Sequence, residues 1–241
     1  MISYIFLVLV GIAILYYAIQ SSGNDTEIIV GQKREVKKIS DRIQEVLDSE
    51  KIEKRVAREH RGIIAEANKL VRGNRFKQAE KKYLAILKND HNNINAFIGL
   101  GNLYLERGEY QGAAETLKRV TQLDPTNEKA ITSLGMALMQ IKRYNEAVKI
   151  YEQAVALDSK IPHRYINLAL AAEKSGNSKK QIHALACAVD LEPKNIGYLN
   201  ALANAAIVAE DKSEAKKALE NIVALEPANL DALRKLARLD Q

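Results

Sequence analysis

A 34-residue period governs the chain from residue 60 onward and narrows its architecture more than any other feature. Ala79, Ala113, Ala147 and Ala215 share one phase, and Tyr83, Leu117, Tyr151, Leu185 and Leu219 share a second. Leu123, Leu157, Leu191 and Leu225 follow the same spacing, as do Pro125, Pro193 and Pro227. The unit recurs five times, at 60–93, 94–127, 128–161, 162–195 and 196–229. Inside one unit, Phe97, Leu100, Gly101 and Tyr104 fall at i, i+3, i+4 and i+7, which is one face of a helix, and Ala113, Leu117 and Val120 line a partner helix. Asp124-Pro125 ends that second helix, because proline cannot continue the hydrogen-bond ladder and restricts the residue before it. One such hairpin cannot bury both of its faces, whereas stacked neighbours bury a continuous core.

Composition agrees with helices and excludes several function classes. Aromatics make up only 5% of the chain, with 4 Pro and 12 Gly, which argues against many short strands. The formal charge of +6 is modest and spread out, with no basic run interleaved with aromatics, so no nucleic-acid partner is expected. The lone Cys187 rules out an internal disulfide and any C-x-x-C pair. His183 and Cys187 stand four apart on an expected helix, but two ligands are not a metal site. His60, His91 and His163 lack a catalytic motif context, and no glycine-rich phosphate cradle appears, so neither enzyme activity, catalytic residue, metal nor cofactor is expected.

The repeat resembles the tetratricopeptide repeat family across residues 60–229, with Phe97, Leu100, Gly101 and Tyr104 meeting its first-helix pattern and Tyr110, Ala113, Leu117 and Pro125 its second. The resemblance implies an all-α, right-handed solenoid of five hairpins, with residues 230–241 as a capping helix that turns Leu233 and Leu236 inward and Arg234, Lys235 and Arg238 outward. Gln181 replaces a small residue, and His91 and Ser159 replace the proline, so the fourth hairpin is expected to pack less closely.

In this family the concave surface, lined by first helices, holds peptide segments of partner proteins. The register assigns that surface Arg61, Ile64, Asn68, Val71 and Arg72, then Asn95, Ile98, Asn102 and Leu105. The later units add Lys129, Thr132, Met136, Met139, His163, Ile166, Asn167, Leu170, Asn200, Asn204 and Ile207. An amide both donates and accepts, so Asn68, Asn102 and Asn204 suit a peptide backbone, while the methionines offer adaptable apolar contact. The family's carboxylate clamp needs lysine at the fifth first-helix position, where Ile64, Ile98, Thr132, Ile166 and Asn200 stand instead. Arg61, Arg72 and Lys129 leave an acidic peptide as a candidate ligand.

Ahead of the repeats, Ile2 to Ile19 carry no charge, and at about 1.5 Å per residue they would span roughly 27 Å, close to a hydrocarbon core. With no basic n-region and no A-x-A-like exit, residues 1–22 are expected to be an uncleaved anchor in the lipid bilayer rather than a signal peptide. Lys33, Arg34, Lys37 and Lys38 place the C-terminal domain in the cytoplasm by the positive-inside rule. The expectation is thus a single-pass protein of a bacterial inner membrane that scaffolds envelope or membrane-complex assembly. The alternative is a periplasm-facing chaperone of the kind associated with translocons or cytochrome maturation. Residues 23–59 form a charged helical stalk, in which Ile29, Val36 and Ile43 with Ile39 and Val46 start a coiled-coil pattern that fails at Glu50 and Glu53. A single helix is therefore expected there, with a weak homodimer through Val36, Ile39 and Ile43 as its rival.

Overall fold

The computed structural model describes residues 26–239, with side chains from Lys37 onward, as eleven helices with no strand among the described residues. The chain divides into two units, Met1–Gly62 and Ile63–Gln241. One helix, α1 (Thr26–Arg72), supplies all the described residues of the first unit and the opening of the second, and no break separates residues 59 and 60. In α1, Ile39, Val46, Ile52 and Val56 are exposed.

Among the described residues no helix is long and apolar enough to cross a membrane, which overturns the expected single-pass inner-membrane placement. At 47 residues α1 has the length, but charged side chains are spread along it and leave no apolar span. The other helices have 10 to 14 residues and are too short for a hydrocarbon core of about 30 Å. The apolar stretch 2–19 lies outside the described residues, as do the side chains of Lys33 and Arg34 and of the coiled-coil residues Ile29 and Val36.

The second unit alternates helices of 13 and 14 residues. After the end of α1 come α2 (Phe76–Asn89), α3 (Ile94–Glu106), α4 (Tyr110–Leu123), α5 (Glu128–Gln140), α6 (Tyr144–Leu157) and α7 (Pro162–Lys174). They are followed by α8 (Ser178–Leu191), α9 (Ile196–Val208), α10 (Lys212–Leu225) and α11 (Leu230–Leu239). First helices begin at Ile94, Glu128, Pro162, Ile196 and Leu230, each 34 residues after the last. The core repeats on the same interval. Leu100, Leu134, Leu168 and Leu202 are buried on the first helices, and Leu117, Tyr151, Leu185 and Leu219 on the second. Two glycines are dictated by this packing. A Cβ on Gly101 would lie 2.7 Å from Leu117 Cγ, and one on Gly135 would lie 2.6 Å from Tyr151 Cε1, so neither helix pair could close as it does.

Turns and linkers obey the period too. Within hairpins, Asn74, Gly108, Lys142, Gly176 and Glu210 all take positive φ, the left-handed residue that ends a helix in a Schellman turn. The next amide then reaches back five residues, as from Glu109 N to Tyr104 O at 2.8 Å and from Arg143 N to Leu138 O at 2.9 Å. Between hairpins, Asn93, Asn127, Asn195 and Asn229 each make a clasp. The side-chain oxygen of Asn93 accepts from Ala96 N at 2.9 Å, capping the next helix, while its Nδ2 donates to Asp90 at 2.9 Å. Asn229 repeats this with Ala232 N at 3.1 Å and Glu226 at 2.8 Å.

Two expectations need correction. The fourth hairpin packs as closely as any other. Ala169, Ala172, Ala184 and Ala188 are all buried and bring α7 and α8 together, and Gln181 sits half-buried at the rim rather than between them. In the last helix, α11, Arg234 and Arg238 are exposed, but Leu233 is not turned inward as expected. Ala232 is buried and Leu236 and Leu239 pack on the core, but Leu233 is 40% exposed, whereas its equivalent Leu199 is fully buried beneath α10. No second helix among the described residues covers Leu233 in that way.

Candidate functional site

The face formed by α3, α5, α7 and α9 carries the residues that the repeat register assigns to ligand. Asn95, Asn102, Lys129, Met136, Leu170 and Asn204 are exposed; Ile98, Leu105, Met139, Ile166, Asn167 and Asn200 are half-buried. Asn68 and Arg72, at the end of α1, are exposed as well. Arg61 belongs to the first unit, where it is exposed. Ile64 and Ile207 are half-buried, and Thr132 and His163 exposed. Val71 departs from the expectation: it is buried against Ala67, Ala79, Tyr83, Leu100 and Leu103 and is unavailable to a ligand.

Three asparagines that occupy one register position have three different surroundings. Tyr83 Oη donates to Asn68 Oδ1 at 2.6 Å, so the amide oxygen is committed within its own hairpin and only the NH₂ group is left to give. Burial pushes the Tyr83 hydroxyl pKa up, which keeps it a donor. In the second hairpin Leu117 stands where Tyr83 stands in the first, and Asn102 has no side-chain partner among the described residues. Asn204 Oδ1 accepts from Lys235 Nζ of α11 at 2.9 Å.

Of the expected residues, the structure brings Ile166, Leu170 and Asn204 into one recess. Between α7 and α9 a cleft of about 390 Å³ is lined by these three with Ala201, Ala205 and Val208, and Glu173 and Gln181 stand on its rim. Leu170 is 46% exposed and Val208 83% exposed, so both leave apolar surface in water beside the cleft. Val208 was missed by the register argument. The signal available was α9 itself, IGYLNALANAAIV, which carries no charge on any side and so must leave some apolar residue in water.

Recesses also open between second helices. One of about 470 Å³ lies between α8 and α10, floored by Ile182, Ala186 and Leu202 and rimmed by Lys179, Asp190, Glu214 and Lys217. Another of about 310 Å³ lies between α4 and α6, with Lys118, Glu115, Arg143 and Glu146 at its edge. Oppositely charged rims of this kind select no single charge in a ligand. In the same region Cys187 Sγ lies 3.9 Å from His183 Nε2, and burial, followed by the charge of Asp190, pushes the thiol pKa up, away from the thiolate a metal would need. Among the described residues no three His, Cys, Asp or Glu side chains are placed to hold a metal ion.

Polar groups elsewhere are spent on structure. Glu80 accepts from Tyr104 Oη at 2.9 Å and from Arg107 Nη1 at 2.9 Å, tying α2 to α3; burial first and this bond second push the Tyr104 pKa up to about 12. Burial alone does the same for Tyr151, to about 12. Lys180 bonds Glu152, joining α8 to α6.

Comparison with known proteins agrees with this architecture. Residues 64–128 and 104–173 match two family models, both described as tetratricopeptide repeat. No curated protein matches. Among solved structures, the chain is similar to YrrB, described as a tetratricopeptide repeat protein with an unusual peptide-binding site, at 19% identity and a TM-score of 0.59, over 71% of this chain and 89% of that one. It is also similar to MamA, at 25% identity and a TM-score of 0.60, over 76% of this chain and 96% of that one. A MamA from Desulfovibrio magneticus RS-1, residues 41 to the end, aligns at 24% identity and a TM-score of 0.58, over 73% of this chain and 97% of that one.

Proposed function

We propose, on the premise that the repeats in residues 64–173 are tetratricopeptide repeats, that this chain is a protein–protein interaction scaffold that holds a peptide segment of its partner on the first-helix face. The interaction module is the run of five hairpins at 60–93, 94–127, 128–161, 162–195 and 196–229. The observation that carries this reading is the coincidence, on one face, of exposed apolar side chains with amides. Met136, Leu170 and Val208 are 45%, 46% and 83% exposed, and Asn102 and Asn204 stand in the same rows. Apolar anchors contribute affinity by leaving water, and amides pair with a peptide backbone whatever its sequence. The peptide-binding site of YrrB, on a solenoid of the same fold, supports the reading.

A peptide array probed with the full chain tests it. Bound peptides should lose signal when Leu170→Lys or Val208→Lys places a charge on the cleft, with the thermal midpoint unchanged because both residues are exposed. Binding that survives both substitutions would remove the first-helix face from consideration.

A further inference from the structure

The apolar cleft between α7 and α9 has a basic counterpart one repeat further along. A step of 34 residues turns Ile166 and Leu170 into Asn200 and Asn204 on one side, and Ala201 and Asn204 into Lys235 and Arg238 on the other. The space between α9 and α11 on this face is therefore bordered by amides and cations, where its neighbour is bordered by aliphatic groups. The hydrogen bond from Lys235 Nζ to Asn204 Oδ1, 2.9 Å, links α11 to α9 across this space. Arg234 takes the register position of Ile166, two repeats on, and Arg238 that of Leu170. Both arginines are exposed, and neither forms an ion pair among the described residues.

We propose that this end of the first-helix face binds an acidic peptide with one apolar anchor. The apolar side chain enters the α7/α9 cleft against Leu170 and Val208, and a carboxylate meets Lys235 and Arg238. This rests on the peptide-holding face proposed above and names the chemistry of its ligand. Spacing follows from the fold: helices pack about 8–10 Å apart and an extended chain advances about 3.3 Å per residue, so the carboxylate stands about three residues from the anchor. Polarity follows from charge. Glu173 on the rim of the apolar cleft repels an acid there, so the acidic end points to α11. Besides Asn204, Lys235 has an ionic partner in Asp231, at 2.7 Å, whose side chain is 67% exposed; a pair so open to water is weak and yields to a better-placed carboxylate. A side-chain carboxylate and a chain-terminal one supply the same chemistry.

Fluorescence anisotropy of the full chain with labelled eight-residue peptides distinguishes the cases. One peptide carries Leu-Ser-Ser-Glu internally with an amidated terminus, a second replaces that Glu by Gln, a third ends at Leu-Ser-Ser with a free carboxylate, and a fourth replaces Leu by Ser. The first should bind at least tenfold more tightly than its Gln and Ser versions, should weaken as salt is raised, and should lose about as much on Arg238→Glu at unchanged thermal midpoint. Tighter binding of the third than of the first would assign the site to chain termini, and the reverse to internal acids. Equal affinity for Glu and Gln peptides, or indifference to Arg238→Glu, would overturn the acidic assignment while leaving the face intact if Leu170→Lys still abolishes binding. Absence of binding by every peptide overturns it as well.

Discussion

The linker from α4 to α5 and the linker from α6 to α7 close the same gap with different chemistry. In the first, Asp124-Pro125-Thr126-Asn127, the amide of Asp124 donates to Val120 O at 2.8 Å and so ends α4. Asn127 then caps α5 through Ala130 N at 3.1 Å and ties back to Asp124 at 3.2 Å. In the second, Asp158-Ser159-Lys160-Ile161, the clasping asparagine and the proline are both gone. Ile161 offers no side-chain cap, and Pro162 opens α7 instead, where its missing N–H is no loss. The carbonyl of Ala154, equivalent to that of Val120, takes its hydrogen bond from Arg164 Nη1 at 2.6 Å. The same guanidinium reaches Asp158 O at 3.4 Å and pairs with Glu128 at 2.7 Å, and Arg164 is only 8% exposed. Equivalent positions hold Ala96 and Ala130. What a linker must supply is therefore a partner for each orphan group at two helix ends, and the residue that supplies it can come from either side.

Arg164→Ala should have the largest effect, about 2–3 kcal/mol lost in urea unfolding, because it orphans two carbonyls and unpairs Glu128. A loss below about 0.5 kcal/mol would mean that water replaces the guanidinium without cost. Asn127→Ala should cost about 1 kcal/mol in the same measurement, the usual worth of an N-cap. Adding Ile161→Asn to Arg164→Ala should recover about 1 kcal/mol, since Asp158 stands three residues upstream to receive the new amide. Asn93 makes this clasp with His91 in place of the proline, so failure to recover would show that an asparagine and an upstream carboxylate are not enough in this linker. The smallest effect is acidic. The Thr126 hydroxyl, and after it the Asn127 amide, hold the Asp124 carboxyl below its ordinary range. A carboxyl lowered in the folded state stabilises above that range and stops doing so as pH falls through its folded value. The gap in unfolding midpoint between the wild type and Thr126→Ala should therefore narrow as pH is lowered from about 5 toward 2. A gap that stays constant would detach the hydroxyl from the titration.

Much of this architecture was legible because burial repeats with the chain. Leu100, Leu117, Ala113 and their equivalents could be placed in the core from spacing alone, since a 34-residue interval returns each of them to the same environment. The site was legible only as a row of positions. Asn68, Asn102 and Asn204 are identical in register, yet Tyr83 occupies the first, Lys235 the third and no side chain the second. Those differences depend on residues 15 and 31 positions away, which periodicity treats as interchangeable. Val71 was misplaced for a related reason: its equivalents Leu105, Met139 and Ile207 stay half-buried, but at the first hairpin Val71 is taken into a core with Tyr83.

The sequence by itself determined that helices of 13 and 14 residues must alternate and stack, because their apolar faces recur at helical spacing and no single hairpin can cover them. Only the tertiary structure decided which polar groups remain to meet a partner and where two apolar side chains gather into a cleft. Hydrogen bonds and recesses arise between helices, from side-chain reach and local packing, and such three-dimensional neighbours are not encoded in a one-dimensional period.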